Sequence, residues 1–377
     1  MKVALLALSP RVDGGQYQYT ATLIETFCDL AKQGALEVSV VHRSDYDGVP
    51  SGPGCASVSV SGLLARAEAL FATYLGTGVA ACASDRFDVA VSPKTCLAAR
   101  KSGRRCVVTV HDLQHRRLPD FFSRRRRMLR DWLYRRAALT ADRIVCETEH
   151  VKGDIVECYG VMPDSIDVVP CPPPSYVLKA ATDERHVATV REKYNLPSDY
   201  LFYPAQFWRH KNHLLLVESL WLLKATFGMA VPLVLVGSPQ ENFTATMRRV
   251  RDLRLGDQVL YLGYVPDADM PCLFKAAAAL VVPSLFESLS IPVWEAFHLG
   301  VPVVCANASA FPEQVGAAAL LFDPHSPSDC AQKLYECLSN GAMAQTLVAN
   351  GRERIRELTL KRYTEQWRGV LARAADS

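Results

Sequence analysis

Several features that define other protein classes are missing from this sequence of 377 residues. No apolar run approaches the ~20 residues that a membrane-spanning helix needs, so an integral membrane protein is not expected. The 12 cysteines are scattered without CxxC pairs, which argues against a zinc site or a disulfide framework and predicts reduced, buried thiols in a cytoplasmic protein. The net charge is only +3, so the chain as a whole shows no preference for nucleic acid.

Metal-binding patterns are equally sparse. A DxD triplet at 267–269 has the form of some metal sites, but it precedes a predicted helix at 270–279. Capping of that helix by an Asp side chain is the better explanation. The similar triplet at 45–47 is no more convincing. We therefore predict neither a catalytic metal nor another cofactor.

What is present is a chain of globular composition. Hydrophobic residues make up 49% and charged residues 21%, and the length suits two domains. The apolar segment 3–8 predicts a buried parallel strand rather than a signal peptide, because Gly14 and Gly15 follow it as in a strand-to-helix turn. Strands are predicted at 3–8, 37–42, 87–91, 106–110, 143–147, 166–169, 200–203, 231–236, 258–262, 276–282 and 301–306, and helices at 16–33, 63–74, 124–136, 214–223, 270–279, 328–339, 344–358 and 363–374.

Two segments lack such periodicity. Residues 46–61 are rich in Gly, Pro and Ser and are predicted to be a loop. Residues 171–175 contain three consecutive prolines and predict a stiff, non-helical stretch, with irregular residues following to about Arg191. We place the domain boundary there, which gives an N-terminal domain at 1–172 and a C-terminal domain at 190–358.

The stretch 283–296 carries the strongest functional pattern. It links the predicted strand at 276–282 to a helix, since Pro292 suits a first helical turn. Gly300 then ends that helix before the strand at 301–306. The N-terminus of such a helix offers unpaired N–H groups and a partial positive charge to a phosphate.

Two carboxylates border this predicted anion site. Glu287 lies in the loop before the helix, and we place Glu295 in the first turn of the helix. Carboxylates beside a phosphate site suit a ligand with both phosphate and hydroxyl groups, such as a nucleotide sugar. Spacing alone leaves a simpler alternative open, in which Glu287 is a solvated loop residue and Glu295 complements the helix dipole.

The stretch resembles the signature of retaining nucleotide-sugar glycosyltransferases of family four, which have the two-Rossmann-domain architecture called GT-B. The resemblance continues through 300–304, through Phe311-Pro312-Glu313 and through 321–324. It implies an α/β fold with two Rossmann-like domains facing across a cleft. The N-terminal domain would bind the acceptor and the C-terminal domain the donor, and a last helix at about 361–377 would pack back on the N-terminal domain.

The same resemblance implies roles for the donor-site residues. Glu287 would hold sugar hydroxyls and steady the charge at the anomeric carbon, and Glu295 would bind the ribose hydroxyls. Lys211 matches the family lysine that contacts the donor diphosphate, with Ser288, Leu289 and Ser290 also at the donor and the last two contributing N–H groups.

One position departs from the family pattern. Gln206 stands where the family has an arginine, and an Arg to Gln change loses both the charge and the two-pronged hydrogen bond. Either Arg209 supplies the second positive charge, or Lys211 and backbone N–H groups bind the diphosphate alone.

The N-terminal half contributes two further candidates. His111 lies just past a predicted strand, where open α/β sheets bind ligands, although a single His is commonly structural. The run 111–115, followed by 118–122, resembles the family motif whose first His lies near the transferred sugar. The resemblance makes His111 a catalytic candidate that would hold the sugar's hydroxyls and the acceptor in place. Gly15 sits in a loop that, in the resembling family, borders the donor phosphate and the acceptor.

A basic segment stands out against the near-neutral whole. Seven arginines, from Arg124 to Arg136, share a predicted helix with Met128, Leu129, Trp132 and Leu133. Together with the preceding 121–123, such a helix suits an anionic membrane surface or an anionic acceptor such as a lipid diphosphate. The remaining alternative is a solvated face over a core-facing stripe.

The resemblance implies a retaining hexosyltransferase that moves a sugar from a GDP- or UDP-sugar to a saccharide or lipid-linked saccharide in polysaccharide biosynthesis. Residues 206–213 resemble mannosyl-transferring relatives, so GDP-mannose is one expected donor. We expect a cytoplasmic protein, peripheral at the inner face of the membrane. A phosphorylase, a sugar-nucleotide epimerase and a non-catalytic sugar-nucleotide-binding protein share the architecture and stay open as alternatives.

Overall fold

The computed structural model describes residues 1–9, 14–43, 54–60, 87–94 and 105–376. These residues divide into two compact units, one of Met1–Pro172 with Leu358–Ser377 and one of Pro173–Glu357. Each unit is built on a parallel sheet with helices between its strands. The predicted α/β class with two Rossmann-like domains is confirmed.

Unit 1 contains a seven-stranded sheet in the order β3-β2-β1-β4-β5-β6-β7. Its described elements are β1 (Lys2–Ala7), α1 (Gly15–Lys32), β2 (Glu37–Arg43), β3 (Cys55–Val60), β4 (Val89–Ser92), β5 (Arg105–Thr109), α2 (Gln114–Arg117), α3 (Arg124–Thr140), β6 (Arg143–Cys146), α4 (Glu149–Tyr159) and β7 (Ile166–Val168). The central strands are buried almost throughout, as expected for a parallel sheet covered on both faces.

A last helix, α14 (Leu360–Asp376), also belongs to unit 1. Its amphipathic pattern explains this placement, because the apolar side is buried in the unit. Trp367 packs edge-on against Phe27 of α1, with 5.5 Å between ring centroids. On the polar side, Arg373 donates a 2.7 Å hydrogen bond to Asp167.

Unit 2 contains a six-stranded sheet in the order β10-β9-β8-β11-β12-β13. Its strands are β8 (Leu201–Pro204), β9 (Leu233–Val236), β10 (Val259–Tyr261), β11 (Ala279–Val282), β12 (Val303–Ala306) and β13 (Ala319–Phe322). Its helices are α5 (Ser175–Leu178), α6 (Glu184–Tyr194), α7 (His213–Phe227), α8 (Phe243–Asp252), α9 (Met270–Ala276), α10 (Ile291–Leu299), α11 (Phe311–Val315), α12 (Pro327–Ser339) and α13 (Gly341–Ile355).

Four local predictions were wrong or incomplete. Strand β3 lies inside the predicted loop 46–61, and β13 was not predicted. Helix α6 occupies the segment predicted to be irregular, because Asp183 caps it by accepting a 3.0 Å hydrogen bond from the His186 N–H. Asp269 precedes α9 but makes no capping bond, since its carboxylate accepts from Lys193 and Tyr194 instead.

Two further predictions, the helix at 63–74 and the acidic triplet at 45–47, lie outside the described residues. Across the described chain, none of the helices combines the length and the apolar character needed to cross a bilayer.

Candidate functional site

The loops that follow β8 and β11 lie together at one edge of the unit 2 sheet. Strand β8 lies between β9 and β11, so the chain proceeds from β8 toward β10 on one side and from β11 toward β13 on the other. The parallel pairing of β8 with β11 places their carboxyl ends at the same edge. Open α/β sheets bind their ligands at such a reversal of strand order.

Lys211 and Glu287 are in contact at this edge. The Lys211 Nζ donates a 2.5 Å hydrogen bond to Glu287 Oε1, and the two side chains are 23% and 12% exposed. The sequence predicted a donor-binding role for each residue but not their direct pairing. The cation assigned to the donor diphosphate and the acid assigned to the donor sugar therefore occupy one place in unit 2.

Hydrogen bonds between the two loops fix this pair. The Tyr203 hydroxyl donates to the Lys211 carbonyl at 2.8 Å, and burial raises the pKa of Tyr203 well above its ordinary value. Asn212, with a left-handed φ of 56°, donates through Nδ2 to the carbonyls of Pro283 at 3.1 Å and Pro324 at 2.9 Å. Asn tolerates this backbone conformation better than most residues. The position of Lys211 is thus set by contacts beyond its ion pair.

Helix α10 carries the second acid. As predicted, Gly300 ends this helix in a left-handed conformation. Glu295, however, is its fifth residue, and the first turn contains no acid, so the first-turn prediction was wrong. The start of the helix is set by Gln314, which accepts the Ser290 N–H at 2.9 Å and donates to the Ser290 carbonyl at 2.8 Å. These two bonds fix Ser290 as the residue before the helix.

The Gln314 contact also limits which backbone N–H groups are available to the predicted anion. The Ser290 N–H is already donated, whereas the Leu289 N–H has no protein acceptor among the described residues. Leu289 is therefore the better candidate of the two for a phosphate oxygen. The donor-binding roles of Ser288, Leu289 and Ser290 stay predictions.

Glu295 is almost completely buried, with 2% of the residue exposed. Its carboxylate accepts a hydrogen bond from the hydroxyl of Tyr176 on α5. Burial raises the pKa of Glu295 to about 7, opposed by the Tyr176 hydrogen bond and assisted by the negative charge of Asp267. A carboxylate with such a shift is a candidate functional group, and the bond it forms to Tyr176 shows that it can accept a ligand-like hydroxyl.

Gln206 and Arg209 lie in the loop after β8. The Gln206 Oε1 accepts the Trp208 indole N–H at 2.9 Å, and this side chain supplies no cation. Arg209 is exposed and begins the 3₁₀ turn Arg209–Lys211. Its backbone N–H donates to Glu241 at 3.4 Å. Whether Arg209 replaces the missing family arginine stays a prediction.

His111 and Gly15 lie in unit 1. The ring of His111 contacts the Glu147 carboxylate through Nδ1 at 3.1 Å and the Pro93 carbonyl through Nε2 at 2.7 Å. Both ring nitrogens are thus bonded within the protein. Gly15 is the exposed first residue of α1 and follows Gly14, which has a φ of 57°. The predicted contacts of both residues with sugar or phosphate stay predictions.

Two models of known protein families match this chain. A family model described as Glycosyltransferase Family 4 matches residues 14–172, and one described as Glycosyl transferases group 1 matches residues 188–354. The chain belongs to glycosyltransferase family 4. The family named from the residue motifs is thereby confirmed.

Sequence relatives of this glycosyltransferase include two bacterial mannosyltransferases. It is 27% identical over 263 residues to O-antigen chain mannosyltransferase B of Escherichia coli, a match that covers 70% of this chain and 68% of that protein. It is 22% identical over 320 residues to O-antigen chain mannosyltransferase RfbU of Salmonella typhimurium, which covers 82% of this chain and 83% of that protein.

Solved structures show that the glycosyltransferase shares the GT-B fold. HepE of Anabaena, crystallised with UDP and glucose, matches with a TM-score of 0.76 and 16% identity over 99% of both chains. WaaG, a glycosyltransferase involved in lipopolysaccharide biosynthesis, matches with a TM-score of 0.74 and 15% identity over 98% of this chain and 99% of its own. At these identities the likeness concerns the fold alone.

Three residues of the glycosyltransferase were not predicted from the sequence, namely Tyr176, Gln314 and Glu147. Each contacts a predicted site residue from a different element. Of the three, only Glu147 had a sequence feature that could have indicated a site residue, because it ends a predicted strand and precedes Thr148, which caps the next helix. Tyr176 and Gln314 carry no comparable pattern.

Proposed function

We propose that this glycosyltransferase moves a hexose from a nucleotide-sugar donor to a saccharide or lipid-linked saccharide acceptor, with retention of the anomeric configuration. The observation that supports this most directly is the contact of Lys211 with Glu287 beside the helix that carries the buried Glu295. Lys211 offers a cation for a diphosphate and Glu287 an acid for sugar hydroxyls, and Glu295 on the helix that follows offers an acid for a ribose.

The roles follow from the charges. The leaving nucleoside diphosphate gains negative charge as the glycosidic bond to it breaks, and the Lys211 ammonium stabilises that charge. When the diphosphate binds, Lys211 exchanges part of its contact with Glu287 for phosphate oxygens. Glu287 is then free to accept sugar hydroxyls and to face the positive charge at the anomeric carbon. Glu295 accepts the ribose hydroxyls in place of the Tyr176 hydroxyl.

The relatives direct the choice of donor and product. Two of them are O-antigen chain mannosyltransferases, so we propose GDP-mannose as the first donor to test and a cell-surface polysaccharide as the product class. UDP-sugars are the second choice, because HepE was crystallised with UDP and glucose.

The test is a screen of GDP-, UDP- and ADP-sugars by thermal shift, followed by transfer assays with the donor that stabilises the protein. We expect one nucleotide class to raise the melting temperature, slow release of free nucleoside diphosphate from donor alone, and an NMR coupling constant in the product that shows the donor's anomeric configuration. Phosphate-dependent cleavage of a glucan would instead identify a phosphorylase, and a changed donor stereocentre an epimerase. Binding without any turnover would identify a sugar-nucleotide-binding protein.

We also propose that helix α3 rests on an anionic membrane surface, where a lipid-linked acceptor would be found. Four large apolar side chains of this helix are exposed, Met128 by 63%, Leu129 by 43%, Trp132 by 45% and Leu139 by 52%. The arginines at 124–126 and 135 are exposed on the same helix. Apolar side chains that enter the headgroup region, flanked by arginines, suit anionic lipid.

Changing Arg124, Arg125 and Arg126 to Ser is expected to lower vesicle binding. Each basic residue near an anionic surface contributes about 1 kcal/mol, so the partition coefficient on phosphatidylglycerol-containing vesicles should fall roughly 100-fold in a sedimentation assay. The matched control changes three exposed arginines of unit 2, Arg185, Arg248 and Arg251, and should bind like the unmodified protein. Equal loss in both triple variants would mean that only overall charge matters, and no loss in either would exclude the α3 surface.

A further inference from the structure

Three neighbouring strands of unit 1 each deliver one group to the same point. Strands β4, β5 and β6 are adjacent and parallel, and their carboxyl ends are followed by Pro93, His111 and Glu147. The His111 ring lies between the other two, 2.7 Å from the Pro93 carbonyl and 3.1 Å from the Glu147 carboxylate. The Tyr19 ring meets it edge-on, with centroids 4.7 Å apart. The imidazole therefore has a single defined orientation.

The chemistry of the partners assigns the protons. A carbonyl oxygen only accepts hydrogen bonds, so the Nε2 of His111 carries a hydrogen. An ionised carboxylate also only accepts, so the Nδ1 facing Glu147 carries the second hydrogen. Glu147 is 6% exposed, and a buried carboxylate needs such a partner. The geometry therefore favours an imidazolium held between two acceptors.

The titratable groups around the pair agree with this assignment. Burial by itself lowers the pKa of His111, but Glu147, the Pro93 carbonyl and Asp112 outweigh it, so the pKa is raised. Asp112 is in turn paired with Arg130 at 2.7 Å. The other neighbours stay protonated, because burial raises the pKa values of Tyr19, Cys146 and Cys171.

We propose that Glu147 is a positioning residue for His111. It holds the ring as an imidazolium, in a single orientation, at the carboxyl ends of β4, β5 and β6. The proposal rests on the proposed function and on the predicted placement of His111 near the transferred sugar. Because both ring nitrogens are bonded to Glu147 and Pro93, His111 does not present a free ring nitrogen to a substrate. Loss of Glu147 releases the ring and removes its second proton.

The first test is an NMR titration of the His111 Cε1–H resonance, assigned from its loss in His111→Asn. In the unmodified protein we expect the ring to titrate above its ordinary pKa, and in Glu147→Gln at least one pH unit lower. Glu147→Asp, which keeps the charge, should restore part of the difference. The control Glu149→Gln changes an exposed acid two residues further on and should leave the titration unchanged. Identical His111 titrations with and without Glu147 would overturn the proposal.

The second readout is turnover with the donor found in the screen. Misplacing a group at a site by about 1 Å can reduce the rate roughly 100-fold, so we expect kcat of Glu147→Gln to fall 10- to 100-fold with the donor KM within about twofold. The alkaline limb of its pH–rate profile should move to lower pH. A shifted NMR titration with unchanged kcat and pH profile would overturn the positioning role. If no donor is turned over by the unmodified protein, the proposed function fails, and the titration still decides the pairing.

Discussion

Replacing Glu295 with Gln is expected to stabilise the protein above pH 7 and to abolish tight nucleotide binding. The carboxyl is buried, and burial raises its pKa from 4.5 to about 7. Each pKa unit corresponds to about 1.4 kcal/mol, so ionising this group in the folded protein costs about 3 kcal/mol. Among the described residues no cation pairs with this carboxyl, and a protein that keeps such a group is expected to use it.

The pH dependence has a definite sign. Because the folded pKa lies above the unfolded one, the folded protein binds the proton more tightly between pH 4.5 and 7. Stability from this group is therefore fully present below pH 4.5 and lost as pH rises through about 7. Because Gln does not ionise, the Glu295→Gln protein should not lose stability in this way as the pH rises. Its melting temperature should match that of the unmodified protein at pH 4.5 and exceed it by several degrees at pH 8.

The Glu295→Gln protein should bind nucleotide more weakly, although it is expected to be more stable at pH 8. Hydrogen bonds to a charged group contribute about 1.5–3 kcal/mol each, so losing the carboxylate toward two ribose hydroxyls should weaken nucleoside diphosphate binding at least 100-fold by calorimetry. Tyr176→Phe is the matched control, because it removes the hydrogen bond that lowers the pKa of Glu295 but keeps the acid. It should lower the melting temperature at pH 8 while retaining binding. A Glu295→Gln protein with unchanged melting and unchanged affinity would contradict the assignment of Glu295.

The parts of the site that could be predicted are those that depend on local sequence patterns. Pro292 and Gly300 mark the two ends of α10 through their own backbone preferences, and both positions are confirmed. The loops carrying Lys211 and Glu287 follow predicted strands, so the topology of a parallel sheet brings them to one edge. Local pattern and strand order together account for most of the candidate site in unit 2.

The parts that could not be predicted depend on contacts between distant segments. Glu295 was placed in the first turn of α10 but is its fifth residue, because the helix begins directly after Ser290, which is held by Gln314 from 24 residues further along the chain. The Tyr176 hydroxyl reaches Glu295 across 119 residues. The edge strand β3 is held by its pairing with β2, although its Gly-, Pro- and Ser-rich surroundings predicted a loop. Such contacts leave no periodic signal in a single sequence.

Replacing Lys211 with Met is expected to weaken donor binding, whereas replacing Glu287 with Gln is expected to reduce turnover. In the proposed function Lys211 neutralises the diphosphate, and losing a charge-assisted bond of about 1.5–3 kcal/mol should lower donor affinity roughly 10- to 100-fold. Glu287 is proposed to act on the charge that develops at the anomeric carbon, so Glu287→Gln should lower kcat about 100-fold or more while the donor Kd stays within a few-fold. Calorimetry and initial rates separate the two effects.

The double variant distinguishes this function from a purely structural ion pair. Lys211 and Glu287 share a partly buried 2.5 Å contact, so removing either partner alone leaves the other unpaired and should lower the melting temperature. Removing both should restore much of that loss, because the stability effects of contacting residues are not additive. If the pair served structure alone, activity would recover with stability. We expect the activity of the double variant to stay at or below that of the weaker single variant. The control Lys333→Met breaks a 3.0 Å ion pair on α12 and should change neither kcat nor Kd.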